Sequence, residues 1–216
     1  MRMISVALVL LLTTALANAA CDPPGQFRIV TANASPGIPK DSFAKKPIVQ
    51  YRAGNGRLRL EEMADPAEGL HQLFVTHWPD VWVVNLLDKT GEHVKDDSPK
   101  PGVHAQVLTA DPSLGLPAAW DSLEYGCEWE FFAANKAVQT PSPSEKRAMM
   151  KHQLTEGEWR VTLITERDSQ VPWALMLSKS GNVVHAIRYL AYEHKDQVDA
   201  ALFAKPEGIE FTEPLK

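Results

Sequence analysis

Apolar residues along this chain fall mostly into short alternating runs, and one stretch departs from that habit. Leu70 to Gly91, LHQLFVTHWPDVWVVNLLDKTG, holds two apolar runs, Leu73 to Thr76 and Val81 to Leu87, joined by His77-Trp78-Pro79-Asp80. Successive side chains of a strand point to opposite faces, so Trp82, Val84 and Leu86 share one face and Val81, Val83 and Leu87 the other. A half-solvated antiparallel strand keeps one face polar. This one is apolar on both, so something apolar must cover each side. Trp82, Val84 and Leu86 are assigned to the side of a cavity.

The remaining runs predict a sheet. A short strand at Phe27 to Val30 precedes a polar loop, Thr31 to Lys46. Ile48 to Arg52 and Arg57 to Met63 flank Ala53-Gly54-Asn55-Gly56, a hairpin signal because Asn and Gly tolerate positive φ. Asp88-Lys89-Thr90-Gly91 forms another tight turn, with a short strand around His93 and Val94. Val103 to Thr109 alternates weakly. Leu123 to Ala133 reads as a long strand, with Leu123, Tyr125, Cys127, Trp129 and Phe131 on one face and Glu124, Glu128 and Glu130 on the other. Further strands are predicted at Glu158 to Glu166, Val171 to Ser178 and Asn182 to Tyr192. Two short helices are expected: one capped by Ser144 with Lys146 to Gln153 as its body, another over Asp196 to Phe203. The sum is a mainly β chain, an antiparallel meander of about 11 strands forming an open half-barrel, with the helices over its concave face.

Residues 1–20 stand apart from this pattern. Arg2, the apolar run Ile4 to Leu12 and Ala17-Asn18-Ala19 describe a secretory signal peptide, too short to span a bilayer. Residues 21–216 then form a single domain in the periplasm or the exterior. Its net charge moves from −5 to −6 once Arg2 is removed, and no basic stripe suggests nucleic acid. The two cysteines, Cys21 and Cys127, point to a disulfide in an oxidising compartment, worth about 3–5 kcal/mol on a loop-entropy model. The rival reading is lipidation of Cys21, although Asn18 stands where lipoprotein signals carry Leu.

Signals for catalysis are weak. None of the seven histidines forms a His-x-x-x-His pair, and no Cys/His cluster has zinc spacing. Ser42-Phe43-Ala44-Lys45 and Lys89-Thr90-Gly91 match short penicillin-recognition patterns, but too close together and without the third motif. No catalytic residue, metal site or cofactor is assigned. Aromatic and methionine placement is more telling. Trp82, Trp129, Phe131, Trp173 and Leu175 on predicted strands, with Met149 and Met150 on the predicted helix, suit an apolar cavity under an adaptable lid.

The order of five segments carries a resemblance. Gly-Asn-Gly-Arg-Leu-Arg-Leu, Val-Trp-Val-Val-Asn-Leu-Leu-Asp-Lys, Gly-Cys-Glu-Trp-Glu-Phe-Phe, Val-Pro-Trp-Ala-Leu and Leu-Phe-Ala-Lys-Pro-Glu-Gly-Ile follow one another between Ile48 and Phe211. In this order they resemble the periplasmic lipoprotein-carrier (LolA/LolB-like) superfamily, especially its uncharacterised secreted members. The resemblance implies an open β-barrel whose helix-plugged apolar face binds acyl chains. Expected is therefore an exported, non-enzymatic protein binding a lipid, lipoprotein acyl chain or other hydrophobic ligand. The alternative is an envelope interaction or structural domain with a filled core.

Overall fold

A computed structural model describes residues 25–101, 105–108, 115–142 and 148–212. Its strands are β1 (Gln26–Asn33), β2 (Ile48–Ala53), β3 (Arg57–Glu62), β4 (Gln72–His77), β5 (Asp80–Asn85) and β6 (Thr90–Lys95). After helix α1 (Glu128–Ala134) come β7 (Val138–Ser142), β8 (Met149–Glu156), β9 (Trp159–Glu166), β10 (Pro172–Lys179), β11 (Asn182–Lys195) and β12 (Glu210–Thr212). All twelve belong to one open sheet, ordered β12-β6-β5-β4-β3-β2-β1-β11-β10-β9-β8-β7. The mainly β expectation holds at this level.

A single sequential meander does not. Two meanders, β1–β6 and β7–β11, meet where β1 pairs antiparallel with β11. The extended tail adds β12 to the edge, parallel to β6. This topology dictates two crossings. The chain leaves β6 near one edge and re-enters at β7 on the other, so residues 96–137 must traverse the sheet. From β11, in the middle, residues 196–209 must return to the β6 edge.

Register fixes which face each crossing covers, because directly opposed residues share a face. Phe27 and Ile29 of β1 oppose Arg52 and Gln50, which oppose Leu58 and Leu60, which oppose Thr76 and Phe74. Those in turn oppose Val81 and Val83. On this first face, over β1 and β9–β11, residues 105–108 and 115–137 build the main core. Phe27, Ile29, Leu163, Leu175 and Ile187 pack there with Leu123, Phe131 and Phe132. Leu73, Val75, Trp82 and Val84 point to the opposite face and pack with Leu86, Ile209 and Phe211. Ala53 and Tyr51 also point there, against Val198 and Phe203. The tail therefore covers that face.

Several expected elements change. Leu123 to Ala133 is no strand: a turn at Tyr125-Gly126, where Gly126 has φ 89°, precedes α1. Cys127, Phe131 and Phe132 also satisfy helical spacing, so alternation alone misread a run that carries both periods. The supposed polar face fails too, since Glu124 and Glu128 are buried. Residues 149–153 of the predicted helix lie in β8, held between β7 and β9. Pairing on both sides there overrides the helix propensity of Met, Lys and Gln. Ser144 and Lys146 lie outside the described residues. So do residues 1–24, including the signal segment and Cys21, and residues 103, 104 and 109 of the predicted Val103 strand. That segment's described part makes one bridge, Gln106 to Glu124. The last helix shrinks to a 3-10 turn, Ala200–Phe203, whose first amides are met by Asp199: its carboxylate accepts from the Ala201 N–H at 2.9 Å. No described helix is long and apolar enough to cross a membrane.

Candidate functional site

Three features stand out, and the first is a buried polar cluster beneath the 96–137 crossing. Arg52, at the end of β2, faces inward because its partner Phe27 does. Its guanidinium donates to Glu124 Oε2 at 2.6 Å and to the Tyr125 carbonyl at 2.8 Å. Both charged side chains are almost wholly buried. Such a pair sets position more than it adds net stability. It fastens the strand edge of the core to the segment that covers it.

Glu128 lies one turn further on, fully buried at the start of α1. Its Oε1 accepts from the Tyr189 hydroxyl at 2.9 Å. Its Oε2 accepts from the Gly126 N–H at 2.9 Å and the Tyr192 hydroxyl at 3.3 Å. Desolvation pushes the carboxyl up to about 7, against the lowering effect of these donors. Burial and the nearby Glu128 carboxylate raise the phenols of Tyr125, Tyr189 and Tyr192 as well. A carboxyl near neutrality, wired to a tyrosine, can exchange a proton at ordinary pH. It can also place negative charge in a dry setting.

The second feature is a pocket of about 210 Å³ beside this cluster. Phe27, Trp129 and Tyr192 give it aromatic walls, Glu130 and His194 give polar edges, and the β9–β10 turn at Ser169–Pro172 closes one side. Trp129 is held edge-on against His152, with ring centroids 5.0 Å apart. Phe27 sits edge-on to Tyr192 at 5.7 Å and tilted to His194 at 4.5 Å. Tyr192 therefore links the two features: its ring faces the pocket while its hydroxyl reaches Glu128.

The third feature is the first face of β3–β6. Leu60, Phe74 and Val83 form one row across three strands, and Val81 and Val94 belong to the next. Leu60, Phe74 and Val81 are half-buried, whereas Val83 is 43% and Val94 39% exposed. The apolar rows thus continue outward from the covered core onto a more exposed part of the same face.

The residues expected to line one cavity are dispersed. Trp82, Val84 and Leu86 do not face open space; they pack against the tail. Phe131 and Leu175 are core residues on the first face. Trp173 stacks beneath Arg188, whose guanidinium carbon lies 3.2 Å from the ring centroid. Met149 is buried at the start of β8, and Met150, on the other face of that strand, is half-buried. Trp129 alone of the set lines the pocket. Cys127 is fully buried just before α1. Among the described residues no group of three or more His, Cys, Asp or Glu is placed to hold a metal ion. Sequence reasoning missed Glu128 because an acid on an alternating run reads as its wet side. The available signal was the apolar company of Cys127, Phe131 and Phe132.

No family model matches the chain, and no curated protein matches it. Among solved structures it is similar to an uncharacterized conserved protein from Thermus thermophilus. That alignment has a TM-score of 0.47 and 9% identity, and covers 88% of this chain and 91% of the other. A second similar structure is PNGF-II, with a TM-score of 0.33 and 8% identity, covering 88% of this chain and 32% of that one.

Proposed function

We propose that this is an exported, non-enzymatic protein of LolA-like half-barrel form that carries a lipid or lipoprotein acyl chain on the open face of β3–β6. One observation supports the reading above others: β5 is apolar on both sides, and only one side is covered by the tail. The row Leu60, Phe74, Val83, exposed at its Val83 end, crosses two strand spacings, about 10 Å, and is aliphatic or aromatic throughout. Part of an extended acyl chain matches that chemistry, and its burial there would remove apolar surface from water. Export rests on the signal segment, and Cys21 joined to Cys127 would tie the mature N-terminus to the start of α1.

Native mass spectrometry of the protein purified from its own host should show a bound acyl species. Displacement of a fluorescent fatty acid should follow, and Val83→Glu should weaken it by tenfold or more. Ligand-free protein that also fails to bind the fluorescent fatty acid would overturn the reading. An envelope protein recovered on that face, with no lipid, would favour the interaction domain instead.

A further inference from the structure

The pocket at Trp129 is a different kind of surface from the open face. Its aromatic walls meet at steep angles: Phe27 and Tyr192 are inclined at 63° to each other, and Trp129 is fixed by its contact with His152. Glu130 stands at the rim, solvent-exposed, on the first turn of α1. Glu128 lies behind Tyr192, its carboxylate accepting that residue's hydroxyl. No lysine or arginine is among the described residues that line the space. The Arg52 guanidinium is already engaged by Glu124 and the Tyr125 carbonyl.

We infer that this pocket binds a small organic cation of the quaternary-ammonium class, held between the rings of Trp129, Tyr192 and Phe27 and drawn by Glu130. The physical basis is the negative face of an aromatic ring, which attracts a weakly hydrated cation most strongly when desolvated. A methylated ammonium suits the site better than a metal ion or a primary amine. It keeps little water, needs no directional acceptors, and presents an apolar surface to Val171 and Pro172. An anion would face the Glu130 carboxylate and no lysine or arginine. A neutral apolar molecule would gain the walls but leave Glu130 without a partner. The site is separate from the open face of β3–β6 and does not depend on what that face carries.

Calorimetric titration of the full protein with choline and tetramethylammonium tests this, with 3,3-dimethylbutan-1-ol as the neutral isostere of choline. Both cations should bind in the micromolar to millimolar range, about tenfold tighter than the alcohol. Glu130→Gln is a surface change that leaves the core intact, and it should weaken both cations severalfold while leaving the alcohol unaffected. Trp129→Leu should weaken them by about tenfold. Submicellar dihexanoyl phosphatidylcholine and dihexanoyl phosphatidylglycerol separate the sources. Binding of choline and the choline lipid supports a general ammonium site; binding of the choline lipid alone assigns the site to a lipid headgroup. Choline and the alcohol binding with equal affinity, the two lipids binding equally, or no binding by either cation or by the choline lipid would overturn the inference.

Discussion

The two halves of the sheet bury opposite faces. Over β1 and β9–β11 the covered face is the one that receives α1, and large side chains such as Phe132, Leu163 and Leu175 are fully enclosed there. Over β4 and β5 the apolar cluster lies on the reverse face, closed by the tail through Ile209 and Phe211, although Leu58 and Thr76 remain buried on the first face. A sheet with one partner needs one apolar face; a sheet with two crossings needs each strand to be apolar where its own cover lies. β5 is apolar on both faces although the described structure covers only one of them. The surplus apolar face is therefore the feature that the fold itself does not explain.

The largest expected contrast lies between those halves. Phe132→Ala should cost about 3–5 kcal/mol in urea unfolding, because it empties the enclosed core. Val83→Thr, on the uncovered face, should stay within about 0.5 kcal/mol of the parent. Equal effects would mean that the open face is occupied by protein after all.

Glu128 sharpens the contrast next. Its folded pKa of about 7 stands above the ordinary 4.5, so the folded state prefers the protonated acid. Its contribution to stability is complete below pH 4.5 and is lost as pH rises through about 7, an effect of about 3 kcal/mol. The facing groups, Tyr125, Tyr189 and Tyr192, stay neutral throughout that window because burial raises them. Glu128→Gln should flatten the stability profile measured between about pH 5 and pH 8. An unchanged slope would place the pH dependence elsewhere. The smallest effect is expected on the tail side, where the cover is thin: Phe211→Ala should cost about 1–2 kcal/mol and raise hydrogen exchange in β5 and β6 before β9 and β10.

Much of the sheet was legible because its cues are local. The Gly54-Asn55-Gly56 turn joins β2 to β3, with Gly54 at φ 66°, and the Ser180-Gly181 turn joins β10 to β11. The two-sided apolarity of β5 was legible as a demand for two covers. The identity of the covers was not, since facing is decided by pairings such as β1 with β11, which no short window contains. Alternation alone therefore assigns Trp82, Val84 and Leu86 to a cavity, where the structure packs them against Ile209 and Phe211. α1 was missed because seven residues carry too few turns to separate the two periods. The polar cluster is hidden because Arg52, the Glu124–Glu128 segment and Tyr189 come from distant parts of the chain, and each alone reads as a surface or strand residue.

Gly91 shows how closely the tail is fitted. A Cβ there would come within 2.8 Å of the Val83 carbonyl oxygen and 3.3 Å of Ile209. The long reach has another consequence, in time instead of space. Arg28 of β1 meets Glu193 of β11 at 2.8 Å, across 165 positions of chain. Contacts that distant form late, because the intervening loop must first be closed. The first strand must wait, unzipped on one side, until the eleventh has been made. That seam is therefore the last edge of β1 to close, after β2 to β6 have had the chance to pair on its other side.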